Sequence, residues 1–302
     1  MKRIVSVSIG SSCRDKYIEA ELLGEKYSIE RIGTDGDIKK AIEMIQKLDG
    51  SVSAFGMGGI DLYLTTGDNR RYRIRDAVPI MKAAEHTPIV DGTGMKNTLE
   101  RKAVEYLRDS NILELKNKNV LITSAADRFK MAETFVNCGC NIIIGDFIFA
   151  LGIPLPIRSL NVFRRVADIL IPMVSKLPFE VLYPTGDKQK EMSHHKFSRF
   201  YDDADIIAGD FHYIKKYMPM NMEDKVIVTN TVTVEDVELL KKRGVRLLVT
   251  TTPEWDGRSF GTNVMEALLV STSGKKPEEL TEQEYYALID KLNFRPRVEY
   301  LN

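Results

Sequence analysis

The sequence lacks the features that would assign it to a membrane, a nucleic acid or an oxidising compartment. Its 302 residues include three cysteines. Cys13, Cys138 and Cys140 are an odd and sparse set, which argues against a disulfide framework, and Cys138-Gly139-Cys140 is too tight for the usual zinc pair. Reduced thiols in a cytoplasmic protein, with no metal site, are therefore expected. No run approaches the ~18 apolar residues of a membrane span. Met1-Lys2-Arg3 is followed only by Ile4 to Ile9 before polar residues, too short a stretch for a signal peptide. Neither sign of charge is in excess, with 43 lysines and arginines against 43 aspartates and glutamates. A net charge of zero leaves no electrostatic footprint for nucleic acid or an anionic membrane surface. His194 and His195 are adjacent and point apart on any regular element, so they lack the spacing of a metal pair.

A hydrophobic content of 43% is enough for substantial cores. Short apolar strands alternate with amphipathic helices, which predicts α/β architecture with parallel sheets and right-handed crossovers. Strands are expected at 4–9, 19–23, 27–32 and 52–55, and a helix at 38–48 with Ile38, Ala41, Ile42, Ile45 and Leu48 on one face. Leu62 to Leu64 and Tyr72 to Ile74 read as a hairpin. Further strands are expected at 204–208, 226–228 and 245–249, with helices at 235–242, 264–271 and 282–292.

The most informative stretch is Asn119 to Phe147, which reads as strand, loop, helix and strand. Val120 to Ile122 form an apolar run, Ser124 to Arg128 a small polar loop, and Met131, Ala132, Phe135 and Val136 one helix face. Gly139 stops the helix, and Asn141 to Ile144 resume a β-branched run ending at Gly145-Asp146. This is the grammar of a mononucleotide-binding unit, although the G-x-G-x-x-G fingerprint is replaced by Ser124, Ala125 and Ala126. A plain βαβ core unit fits the same residues. Gly209-Asp210-Phe211 repeats the Gly-Asp-Phe at 145–147, so Asp146 and Asp210 could share the carboxyl edge of one sheet.

A second informative place is Asp91-Gly-Thr-Gly-Met-Lys-Asn97, read as a loop before a helix from Thr98. Its Asp91 and Lys96 could exchange a proton with a substrate hydroxyl if burial moves one pKa, or could be no more than a turn with an exposed ion pair. Gly10-Ser11-Ser12, Gly56-Met-Gly-Gly59 and the loop around Gly257 are glycine-rich places where a ligand backbone approach or a simple turn is possible. The segment from 149 to 182 is apolar and broken by prolines, suited either to packing on the sheet or to a dimer contact.

In this order, the Val90-Asp91-Gly92-Thr93-Gly94 segment, the unit at 119–147 and the Asp256-Gly257-Arg258-Ser259-Phe260-Gly261-Thr262-Asn263 run resemble the shikimate and quinate 5-dehydrogenases. The family's N-V-T-x-P-x-K lysine segment has no counterpart between Val52 and Ile89. The resemblance implies an N-terminal α/β substrate domain over 1–97, a Rossmann-like domain over 98–270 with helices on both faces of a parallel sheet, and a helical segment over 271–302. It further implies an NAD-dependent oxidoreductase acting on a small polyhydroxy acid. Asp91 and Lys96 would be catalytic. Ser124, Ala125, Ala126, Arg128 and Asp146 would bind the cofactor, with Asp146 on the ribose and disfavouring NADP. Ser11, Ser12, Asn97 and Asn263 would bind substrate. Two competing readings are a Rossmann-like binding or sensing protein without dehydrogenase activity, and a transferase or lyase acting on a phosphorylated small molecule.

Overall fold

In the computed structural model the described residues are 1–65, 70–177, 197–255 and 258–302, and two main sheets organise them. The first is built from β1 (Lys2–Ser8), β2 (Lys16–Leu22), β3 (Glu25–Gly33), helix α1 (Ile38–Leu48) and β4 (Ala54–Gly58). A small antiparallel pair, β5 (Tyr63–Thr65) and β6 (Arg71–Arg73), precedes the single turn α2 (Val78–Met81) and the short β7 (Ile89–Val90). The turn of that hairpin, at 66–69, lies outside the described residues. The sheet runs β2-β3-β1-β4-β7, parallel throughout except for β2 at one edge.

Alternation along β1 divides the first core into two layers. Val5 and Val7 pack with Ala41 and Ile45 of α1, while Ile4 faces the opposite cluster with Tyr27 and Ile29. Asp37 starts α1 by accepting a hydrogen bond from the Lys40 amide at 2.9 Å, a side-chain N-cap.

Helix α3 (Thr93–Asp109) leads to the second sheet. There follow β8 (Asn119–Ile122), α4 (Phe129–Asn137), β9 (Asn141–Ile144), α5 (Asp146–Phe149), α6 (Leu160–Val174), α7 (Ser198–Asp202), β10 (Ile206–Gly209), α8 (Phe211–Tyr217), β11 (Val226–Thr229), α9 (Val234–Lys242) and β12 (Leu247–Thr250). The sheet runs β9-β8-β10-β11-β12, all parallel, with a last strand antiparallel to β12. Taking β8 as the first strand, the parallel part has the order 2-1-3-4-5 of a doubly wound fold. Its strands are buried on both faces: Val120 and Ile122 enter one core layer and Leu121 the other. The fold is thus α/β with two parallel-sheet units, the second Rossmann-like.

The chain then returns to the first unit. After the short pair β13 (Glu254–Trp255) and β14 (Arg258–Ser259), helix α10 (Thr262–Ser273) packs against β1, β4, β7 and α3, and α11 (Glu282–Lys291) joins it there. Only β15 (Arg297–Tyr300) goes back, pairing with β12. Helix α10 therefore follows the second sheet in sequence but packs with the first. The run Val264-Met265-Glu266-Ala267-Leu268-Leu269-Val270 is buried all round, and the sheet that covers it is the first one. Glycines in β4 make the approach possible: a Cβ on Gly56 would stand 2.9 Å from the Asn263 side-chain nitrogen and 3.0 Å from its backbone oxygen.

Candidate functional site at the junction of the two sheets

In a parallel sheet the place for a ligand is outside the carboxyl ends of the strands, where the strand order reverses. In the second sheet that point lies between β8 and β10, and in the first between β1 and β4. Contacts join the two edges. Arg14, in a 3-10 turn (Ser12–Arg14) beyond β1, reaches His212 Nε2 at 3.0 Å and Thr231 Oγ1 at 3.5 Å beyond β10 and β11. Lys96, in the first turn of α3, donates to Asp127 beyond β8 and lies 3.4 Å from Asp61 beyond β4.

Charged side chains are concentrated behind this junction. Arg128 is 2% exposed and binds Glu100 of α3, itself 1% exposed. The same guanidinium lies 3.3 Å from Asp210 and 3.7 Å from Asp127. Asn230 donates to Asp210 at 3.0 Å, and the His212 amide donates to the other Asp210 oxygen at 2.9 Å. A buried arginine requires such partners, since an unpaired charge in the interior is costly. Burial pushes the Glu100 carboxyl up to about 7 although Arg128 pulls it down. Burial also works to discharge Lys96, but Asp127 and Asp61 outweigh it and raise the ammonium's pKa. Lys96 is therefore a fixed cation and hydrogen-bond donor, not a base near neutrality.

The expected catalytic pair separates. Helix α3 begins at Thr93, five residues earlier than expected, so Lys96 and the half-buried Asn97 sit on its first turn and not in a loop. Asp91 stays before the helix, where it accepts from the Leu62 amide at 2.5 Å, the Thr93 amide at 3.0 Å and the Thr93 hydroxyl at 2.7 Å. With both oxygens engaged, Asp91 pins two loops, and the partners of Lys96 are Asp61 and Asp127. Neither partner was singled out from the sequence. Gly92 caps α3 at φ +98°, a conformation that favours glycine, and a Cβ there would stand 2.8 Å from the Asn263 amide.

The expected cofactor residues are brought together, but on one another. Asp146 accepts from the amides of Ala125 and Ala126, each at 2.8 Å. These are the loop N–H groups that a phosphate would need. Arg128 is engaged with Glu100, Asp210 and Asp127, so it is not free to meet an anion. Burial raises the Asp146 carboxyl to about 6 against the pull of the two amides. The Ser124 hydroxyl is buried without a hydrogen-bond partner. Asp146 and Asp210 do flank β8 at one edge of the sheet.

The expected substrate residues are likewise drawn into the fold. Ser11 accepts from the Cys13 amide at 3.3 Å, and the Ser12 amide donates to Asp35 at 2.7 Å. Asn263 donates to Ser6 at 2.7 Å between α10 and β1. On the same helix, Glu266 accepts from Tyr285 at 2.7 Å, and burial raises its carboxyl to about 7. The Asp256-Gly257 part of the resemblance and the His194-His195 pair lie outside the described residues. Among the described residues no group of three His, Cys, Asp or Glu is arranged to hold a metal ion, and no helix is long and apolar enough to cross a membrane. An open depression lined by Met220, Asn221, Arg243 and Asn302 lies at the opposite, amino-terminal edge of the second sheet, away from this network.

The family model described as a domain of unknown function, DUF8754, matches residues 94–301. The chain belongs to this family. A second such model, DUF8753, matches residues 3–91 ahead of the DUF8754 region, and the change from one to the other falls at the start of α3. We found no match among curated proteins. Among solved structures, the chain is similar to a putative malic enzyme at 13% identity, over 96% of this chain and 84% of that one, with a TM-score of 0.34. It is similar to the hetero-hexameric glutamate dehydrogenase of Thermus thermophilus at 10% identity, over 97% and 74%, with a TM-score of 0.43. It is also similar to GanP, a glucose-galactose binding protein from Geobacillus stearothermophilus, at 11% identity, over 99% and 97%, with a TM-score of 0.35. At this level of similarity the function of the DUF8754 chain has to be argued from its own site.

Proposed function

We propose that the protein binds a small polar molecule at the junction of its two sheets, and that it works as a binding or sensing protein with no dinucleotide on the 124–128 loop. The observation that carries this reading is the Asp146 carboxylate on the Ala125 and Ala126 amides. An ionised carboxylate there fills the anion site and repels a second anion. Arg128, the one cation within that loop, is neutralised by the buried Glu100 and the half-buried Asp210. Groups at the junction that could exchange an internal partner for a ligand are the Lys96 ammonium with Asp61 and Asp127, and the Asn230 and Thr231 side chains beside Arg14. Such a set suits a molecule bearing hydroxyl or carbonyl groups. Titration of NADH and NADPH fluorescence tests the reading: no saturable signal at millimolar cofactor is expected, and saturation by either dinucleotide would overturn it.

One observation favours a second reading, that of an NAD-dependent oxidoreductase of the shikimate or quinate dehydrogenase type acting on a polyhydroxy acid. Lys96 stands between Asp61 and Asp127 where the two sheets meet, and a fixed ammonium could polarise a carbonyl during its reduction. On this reading the dinucleotide displaces Asp146 from the loop, and Lys96→Met abolishes NADH oxidation by a ketonic substrate while leaving NADH binding intact.

A further inference from the structure

Of the contacts that join the two edges, the one between Arg14 and His212 has a chemistry the others lack. Arg14 leaves the first sheet in the turn after β1, and His212 starts α8 after β10 of the second. Their nitrogens, Nη1 and Nε2, are 3.0 Å apart. A guanidinium has only donors, so the imidazole nitrogen facing it must be the unprotonated acceptor. A proton on that nitrogen would remove the acceptor and set two cations against each other. Thr231 holds the second Arg14 nitrogen at 3.5 Å and does not titrate.

We propose that the Arg14–His212 contact is a proton-sensitive latch between the two sheets, closed while the imidazole is neutral and released when it takes a proton. The charged groups around His212 are Arg14 from the turn after β1, Asp210 and Lys215 from its own segment, and Asp236 from α9. Asp210 and Asp236 favour the imidazolium, but their charge is shared. Asp210 serves Arg128, Asn230 and the His212 amide, and Asp236 is paired with Lys215 at 2.6 Å. Although His212 is exposed at the surface, desolvation by the neighbouring protein, reinforced by Arg14, leaves the ring below its ordinary pKa in the closed form. Released from Arg14, the ring returns toward 6.5, so the open form binds the proton more tightly and acid shifts the population toward it. Above that pH both forms are neutral and the latch is at full strength. The latch stands apart from the identity of any ligand, because it is made by protein groups alone.

Small-angle scattering of the full-length protein from pH 8 to pH 5, with circular dichroism to show that it stays folded, tests the proposal. The wild type is expected to expand as pH falls, with an apparent midpoint below 6.5. His212→Gln keeps a neutral acceptor at every pH and is expected to stay compact throughout. Arg14→Ala is expected to lose the transition by being expanded from the start. Glu100, Asp146 and Glu266 gain protons over part of the same range. For that reason, a transition that persists unchanged in His212→Gln would overturn the latch, as would a wild type whose dimensions do not change.

Discussion

Small residues stand at one place on each sheet, the glycines of β4 in the first and the loop after β8 in the second, and both places are filled from within the chain, by different means. In the first sheet, Gly56 and its neighbours admit helix α10, with Asn263 against their backbone. In the second, Ser124, Ala125 and Ala126 admit the carboxylate of Asp146. A backbone packed on a backbone cannot leave without unfolding, whereas a carboxylate raised to about 6 can gain a proton or turn away. Small residues after a strand therefore signal a close approach without saying what approaches. The chemistry of the filler decides whether the place can still serve a ligand.

The largest effect is expected from the charged network behind the 124–128 loop. Arg128→Ala strands Glu100 and Asp210 without their cation, and urea unfolding should show a loss of about 3–5 kcal/mol. A loss below ~1 kcal/mol would mean that the network is not formed in solution. Next comes the packed strand β4. Gly56→Ala forces a methyl group against Asn263 and should cost about 1–3 kcal/mol, equally at pH 5 and pH 8, since nothing that titrates is moved. A cost that varies with pH would erase the contrast between the β4 glycines and the 124–128 loop.

Asp146→Asn is expected to cost less, about 1–2 kcal/mol, by replacing one of two acceptor oxygens with a donor that faces an amide. Its pH dependence sharpens the comparison. The folded carboxyl titrates near 6 and the unfolded one near 3.8, so between these values the folded state binds more protons and wild-type stability falls as pH rises. Asparagine lacks that dependence. The variant's deficit should therefore shrink from pH 4.5 to pH 7.5 in parallel thermal melts, and a deficit that grows would show that the amides hold the ionised form more strongly than burial opposes it. The smallest effect is expected at Asn263→Ala, about 1 kcal/mol for the lost bond to Ser6, with the helix packing left in place.

Local patterns revealed the architecture well. Apolar runs of strand length alternating with one-faced helices gave the parallel sheets, because both signals are short-range. The return of α10 to the first sheet was hidden, since the buried run at 264–270 would fit any apolar surface and the choice depends on glycines some 200 positions away. Residue types at the site were partly legible. The repeated Gly-Asp-Phe marked Asp146 and Asp210 at one edge, and Lys96 was noticed, but its partners Asp61 and Asp127 lie 35 and 31 positions from it. Reading Asp91 with Lys96 rested on their nearness in sequence. The left-handed Gly92 starts the helix early and separates their roles.

The central claim is that Asp146 occupies the loop amides, and the backbone resonances of Ala125 and Ala126 report on it directly. In an NMR titration of the wild-type protein at pH 7.5, NADH added to millimolar concentration should leave both amide shifts where they are. Saturable movement of the two amides on adding NADH would contradict the account and place the dinucleotide on the loop.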